Sequence, residues 1–268
     1  MISFVGAGPG AADLITLRGR DRLAAADVVI WASSLVSEAL LAHASPEAEV
    51  FDSAGMTLED VVGVYAAARP GAAIVRLHSG DPSLYGAIGE QIEWCLAHQR
   101  DFEIVPGVSS VAAAAAALGR ELTVPGVAQT VILTRRPGRT AASMPAAETL
   151  AGLAAHGSTM AVFLSGARPE EVQRELLAGG GYGPDTPAAV VVRATWPDEA
   201  VYETTVAALA DTVRDSGASR TVLVLVGEAL RGTGPARSHL YSPGFAHAFR
   251  RRSPPGTTAG RPARPAPT

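Results

Sequence analysis

The sequence predicts an α/β protein built from two α/β domains. Three observations carry that reading. Short apolar runs alternate with helical stretches through the first half, which implies a mostly parallel sheet with helices on both faces. A Pro/Gly break, "LTVPG" (Leu122 to Gly126), divides residues 1–120 from residues 127–245. Beyond it, "WPDEA" (Trp196 to Ala200) separates two β-like runs with little helical pattern, a hairpin signal. The second half therefore reads as α/β with antiparallel pairs.

The elements follow in order. Ile2–Val5 reads as a strand and Leu17–Ala25 as a helix with Thr16 as its N-cap. Val28–Trp31 is a second strand, Val36–His43 a short helix, Glu49–Phe51 a third strand and Leu58–Arg69 a helix. Ala73–Leu77 is a fourth strand, Ile88–His98 a helix, Phe102–Val105 a fifth strand and Ser109–Leu118 an Ala-rich helix. After the break, strands are expected at Gln129–Thr134, Thr159–Leu164, Ala188–Arg193, Ala200–Thr204 and Arg220–Val226. Helices are expected over 146–155 and Glu170–Leu177, the latter stopped by three glycines (Gly179 to Gly181). The tail over 250–268, rich in Arg, Pro, Gly and Thr, cannot bury a core and reads as disordered.

Composition narrows the function. In 268 residues there is one cysteine, Cys95, which excludes an internal disulfide framework and a cysteine-based zinc cage. No apolar run approaches the roughly 20 residues of a membrane span. No basic segment followed by an apolar stretch and cleavage site opens the chain. A cytoplasmic protein is the expectation. Net charge is −4 and aromatic residues are 5%, against a nucleic-acid partner with a basic, stacking surface. All 22 basic residues are Arg, the side chain that grips carboxylates in two-pronged pairs.

"GAGPG" (Gly6 to Gly10) follows the first strand and invites a dinucleotide reading. Three requirements fail. The third glycine comes one residue early, and Pro9 has no N–H for a pyrophosphate. The helix signal starts only near Leu17. The second strand ends in Ala32-Ser33-Ser34, not in an acidic residue for the ribose. Two further loops matter. "HSGDPSLYG" (His78 to Gly86) follows the fourth strand, and "VPGVSS" (Val105 to Ser110) the fifth. Gly80 permits close approach of a ligand to the backbone. Asp81 can accept hydrogen bonds from it or cap a helix starting near Ser83. Ser109 and Ser110 can bind it or cap the helix that follows.

"GAGPG" with "ADLIT" (Ala12 to Thr16), then "GDP" (Gly80 to Pro82), then "PGVSS" (Pro106 to Ser110) resembles the tetrapyrrole (uroporphyrinogen/corrin/diphthine) methyltransferase family. The likeness implies two α/β domains in the tetrapyrrole methylase fold, an active-site trough between them, S-adenosyl-L-methionine as methyl donor and a homodimer. "SLVSEALL" (Ser34 to Leu41), "SAGMTLE" (Ser53 to Glu59), "HSGDPSLYGAIGEQ" (His78 to Gln91), "ELTVPGVAQTVILTRRPGRT" (Glu121 to Thr140) and "ATWPDE" (Ala194 to Glu199) resemble the branch acting on C11 of precorrin-4 or its cobalt form in cobalamin biosynthesis. Ser53 departs from the more usual Thr. The likeness runs from Met1 to about Arg250.

The resemblance implies cofactor contacts at Pro9, Ser79, Gly80, Asp81, Leu84, Ser109, Ser110, Leu164 and Ala194. The tetrapyrrole substrate carries many carboxylates, so Arg135 and Arg139 of "TRRPGRT" are expected to pair with it, ahead of Arg136. His78 and Asp81 are candidates for a proton acceptor by location only. No metal site and no nucleic-acid or membrane partner is expected.

Overall fold

The computed structural model describes residues 1–136, 144–163, 165–232, 238, 242 and 245–250. From residue 251 the Arg/Pro tail lies outside them. Two five-stranded sheets form the protein.

The first sheet contains β1 (Ile2–Gly6), β2 (Val28–Trp31), β3 (Glu49–Asp52), β4 (Ile74–His78) and β5 (Phe102–Val105) in the order β3-β2-β4-β1-β5, every pair parallel. Its central strands read as unbroken apolar runs because both faces are covered. Val5, Val29 and Val75 face Leu23 of α1 (Leu17–Ala24) and Leu40, while Phe4, Ile30 and Ile74 face Val61 and Tyr65 of α2 (Leu58–Ala67) and Cys95 of α3 (Gly89–Ala97). Thr16 caps α1 by accepting from the Gly19 N–H at 3.1 Å, and Thr57 with Asp60 forms a capping box on α2.

The second sheet contains β6 (Val131–Arg135), β7 (Thr159–Phe163), β8 (Pro187–Val192), β9 (Ala200–Thr205) and β10 (Val222–Val226), ordered β6-β7-β10-β8-β9. β6 runs parallel to β7, and the other pairs are antiparallel, with β8 and β9 forming the expected hairpin. One face packs on α5 (Leu150–Ala154), α6 (Pro169–Ala178) and α7 (Leu209–Asp215). The other face is covered by α4 (Ser110–Leu118), which arrives from the first half of the chain. Ala113 and Ala114 meet Ala161, Ala189, Leu223 and Leu225, so the helix sits close to the sheet. The polyalanine run thus joins the two halves.

Three expectations change. The segment expected as a helix over 36–43 is a 3-10 turn, Glu38–His43, whose preceding Ser37 makes no capping bond and which buries only Leu40. α5 begins at Leu150 instead of 146, because Thr149 supplies the cap by accepting from Gly152. α7 was not anticipated: it grows from a 3-10 turn (Val206–Ala208) with no side-chain cap to mark its start. No described helix is long and apolar enough to cross a membrane.

Glycine positions give a stability test of opposite signs. A Cβ on Gly107 would lie 2.1 Å from the Gly80 carbonyl oxygen and 2.7 Å from the Gly6 Cα. Gly107→Ala is expected to lower unfolding free energy by about 1–3 kcal/mol through overpacking. Gly63, exposed within α2 with open space around it, should become more favourable as Ala by roughly 0.5–1 kcal/mol. Urea denaturation midpoints of the two variants measure both changes.

Candidate active site

β1, β4 and β5 are neighbours, so the loops after them leave the same edge of the sheet. That edge is where open parallel sheets bind ligands. Gly8 and Gly80 exchange backbone hydrogen bonds, Gly80 N–H to Gly8 O at 2.8 Å and Gly8 N–H to Gly80 O at 3.3 Å. Both glycines have positive φ, 78° and 66°. Gly6 and Gly107 have no room for a side chain, since a Cβ on Gly6 would lie 2.4 Å from the Gly107 Cα. "GAGPG" is therefore one wall of a three-loop junction.

Asp81 ties the junction. One carboxylate oxygen accepts from the Ser83 N–H at 2.8 Å and from the Ser83 hydroxyl; the other accepts from the Gly107 N–H at 2.8 Å. Burial raises its pKa, but these hydrogen bonds outweigh burial and hold the carboxyl below its ordinary range. No helix starts near Ser83; α3 begins at Gly89. The helix-cap alternative for Asp81 is thus replaced by a brace between the second and third loops. Ser109 does cap α4, accepting from Val111 at 3.3 Å. The Ser79 and Ser110 hydroxyls have no hydrogen-bond partner among the described residues. Gly80 stands 3.7 Å, measured from where its Cβ would be, from Ser109 Cα and Ser110 N.

The second half closes over the first loop through "ATWPDE". Ala11 donates its N–H to the Thr195 hydroxyl at 2.9 Å, and Trp196 donates its indole N–H to the Pro9 carbonyl at 3.0 Å. A Cβ on Gly10 would lie 2.3 Å from the Trp196 ring, so the last glycine of "GAGPG" serves this contact. Arg193 lies 4.0 Å over the Trp196 ring centroid and pairs with Asp198 at 2.6 Å. Arg193 and Thr195 have φ of 49° and 67°. Such non-glycine conformations cost about 1–3 kcal/mol each and persist where surroundings impose them. Read from sequence, this stretch is a hairpin link and a motif shared with relatives; its role as a clasp comes from contacts with the first loop.

The expected cofactor residues Pro9, Ser79, Gly80, Asp81, Ser109 and Ser110 meet at this junction. Leu84 follows in the second loop, half-buried, and Ala194 is buried in the core shared with α4. Leu164 and Arg139 lie outside the described residues. Arg135 lines a cavity of about 390 Å³ with Tyr85, Ile132, Leu133, Thr134, Met144, Pro145, Glu148 and Leu153. Arg136, the next residue, turns away: it is buried and paired with Glu171 of α6. A larger cavity, about 830 Å³, opens at the opposite strand edge beside Asp27, Glu47, Glu49, Glu59 and Asp60. Its acidic wall repels a polycarboxylate.

Tyr85 enters the smaller cavity from the first half and packs on Phe163 of β7, ring centroids 5.0 Å apart. It has φ 61°, and Ala87 has φ 49°. The intervening Gly86 is obligatory, since a Cβ there would lie 2.2 Å from the Pro82 carbonyl. From beneath, the Gln91 amide donates to the Ala87 carbonyl at 3.1 Å and accepts from the buried Tyr65 hydroxyl at 2.6 Å. Sequence reasoning named neither Tyr85 nor Gln91.

The comparisons with known proteins decide the family. Residues 1–210 match the Tetrapyrrole (Corrin/Porphyrin) Methylases. The chain belongs to the tetrapyrrole methylase family. It is 47% identical over 251 residues to a cobalt-precorrin-4 C(11)-methyltransferase of Methanocaldococcus jannaschii, covering 93% of this chain and 96% of that one. Among solved structures, a cobalt-precorrin-4 methyltransferase of cobalamin biosynthesis superposes with a TM-score of 0.81 at 48% identity, over 85% of this chain and 95% of that one. A uroporphyrin-III C-methyltransferase of Thermus thermophilus, complexed with S-adenosylhomocysteine, superposes with a TM-score of 0.71 at 29% identity, over 86% and 98%.

His78, at the end of β4, is held in its neutral form by its surroundings. Burial pushes its imidazole down to about 3, the positive Arg76 adds to this, and the Gly86 backbone opposes it. An unfolded chain protonates this residue near 6.5, ahead of the folded one. Its contribution to stability is therefore whole above that pH and is lost as pH falls toward 3. His78→Leu should show a smaller drop in urea midpoint between pH 7 and pH 5 than the wild type. Equal drops would assign the effect to other groups.

Proposed function

We propose that this tetrapyrrole methylase transfers a methyl group from S-adenosylmethionine to C11 of precorrin-4 or cobalt-precorrin-4 in cobalamin biosynthesis. The near-full-length likeness to C11-methyltransferases carries the substrate and position. A homodimer is inferred from the family alone, and a cytoplasmic location from the composition of the sequence.

The junction fits the methyl donor. Gly6, Gly8, Gly80 and Gly107 bring the three loops' backbones into close contact, Pro9 lacks the N–H that a pyrophosphate needs, and the ionised Asp81 favours a cationic ligand. The Ser79 and Ser110 hydroxyls are available as partners. Pro9, Ser79, Gly80, Asp81, Leu84, Ser109, Ser110, Leu164 and Ala194 would hold the donor. Bound S-adenosylmethionine supplies an electrophilic methyl on a sulfonium that departs as a neutral thioether. The protein's part is to align two ligands, a contribution of about 7–11 kcal/mol at the upper end. Arg135, and Arg139 on the strength of its motif, would anchor substrate carboxylates through charge-assisted pairs.

Incubating the protein with methyl-labelled S-adenosylmethionine and precorrin-4 should place one labelled methyl on C11, located by mass spectrometry and NMR. Label on another ring carbon, or none, defeats the assignment. The two ligands should also separate by mutation. Asp81→Ala is expected to weaken S-adenosylhomocysteine binding at least tenfold in calorimetry. Arg135→Ala should raise KM for the tetrapyrrole about tenfold, a loss of about 1.4 kcal/mol, with S-adenosylhomocysteine affinity near wild type.

A further inference from the structure

The small cavity beside the junction has an asymmetry that the transfer reaction alone does not explain. Arg135 is on its wall, and so is Glu148, the one carboxylate among its described lining residues. Both charges act on Tyr85, with opposite sign. The cavity, about 390 Å³, takes an edge of a macrocycle and not the whole. Tyr85 reaches it only because its backbone is held left-handed, with Gly86 wedged against Pro82 and Gln91 propping Ala87. Strain of this kind at a ligand cavity points to a function for the side chain it presents.

A tetrapyrrole poses a particular problem of recognition. Its four rings are alike and its rim carries carboxylates all round, so several rotations of the ring present similar surfaces. Selecting one requires both an attraction and a repulsion. We propose that Tyr85, with Arg135 and Glu148, sets the rotational register of the macrocycle. The Tyr85 hydroxyl and the Arg135 guanidinium together hold one rim carboxylate, the Tyr85 ring, backed by Phe163, covers the adjacent pyrrole edge, and Glu148 rejects rotations that bring a second carboxylate to its side. The residues thereby decide which carbon lies at the methyl donor. This deepens the C11 assignment and rests on it.

The test uses the full chain. Tyr85→Phe removes only the hydroxyl and is expected to raise KM for precorrin-4 about tenfold, as for a hydrogen bond to a charged group, with S-adenosylhomocysteine affinity within twofold of wild type. Tyr85→Leu and Glu148→Gln are expected to yield product labelled at carbons other than C11 alongside the normal one. Glu148 is exposed, so that variant keeps the test open if a Tyr85 change disturbs folding. If all three variants keep KM within twofold and methylate C11 alone, the register role is overturned while the C11 assignment stands. If the wild type itself does not methylate C11, both fall. A parallel loss of S-adenosylhomocysteine affinity in Tyr85→Phe would place Tyr85 in the donor site and also overturn the proposal.

Discussion

The structure depends on a contact between backbones. Gly6 and Gly107 meet each other and the Gly80 carbonyl where three parallel strands end, at separations that leave neither of them room for a side chain. Without that approach the loops after β1, β4 and β5 could not share one ligand surface. The Gly8–Gly80 bridge fixes two of the loops, and Asp81 draws in the third through the Gly107 N–H. Asp81 organises the loops: one carboxylate oxygen accepts from Ser83 and the other from the Gly107 N–H. Its low pKa follows from those hydrogen bonds, which outweigh burial.

A second constraint fixes the two halves relative to each other. α4 starts beside the junction and lies on the second sheet, where alanine meets alanine and the axis can approach closely. On the other side, Thr195 and Trp196 close over Ala11, Pro9 and Gly10. α4 leaves the C-terminal edge of the first sheet after β5, and the strained loop between β8 and β9 of the second sheet closes back over the first loop. Orientation by rigid elements suits a reaction in which the protein contributes alignment more than covalent chemistry.

Charge is distributed to match. The chain is acidic overall, yet its Arg residues divide by role within a single motif. Arg135 faces the cavity, while Arg136 is committed to Glu171 and the packing of α6. Arg136 lies just past the last residue of β6, where Glu171 of α6 holds it. His78 shows the converse case: polar, near the site, and neutralised by burial.

Much of the fold was legible in the sequence. All five strands of the first sheet were, because buried parallel strands read as apolar runs, and Thr16 and Ser109 announced their helices through capping chemistry. α7 was not, since it begins without a cap, and the 3-10 turn at Glu38–His43 looked helical by composition. Of the candidate site, the sequence picked out the three strand-end loops and Asp81, since Gly, Pro and Asp in such loops carry their own local rules. It did not reveal that Asp81 reaches Gly107, that Trp196 covers Gly10, or that Tyr85 faces Arg135 and Glu148. Those contacts join residues 26, 186, 50 and 63 positions apart, and local propensity has no range over such distances. Sequence determined which segments could turn, cap or run extended; the packing of two sheets around α4 decided which of them meet.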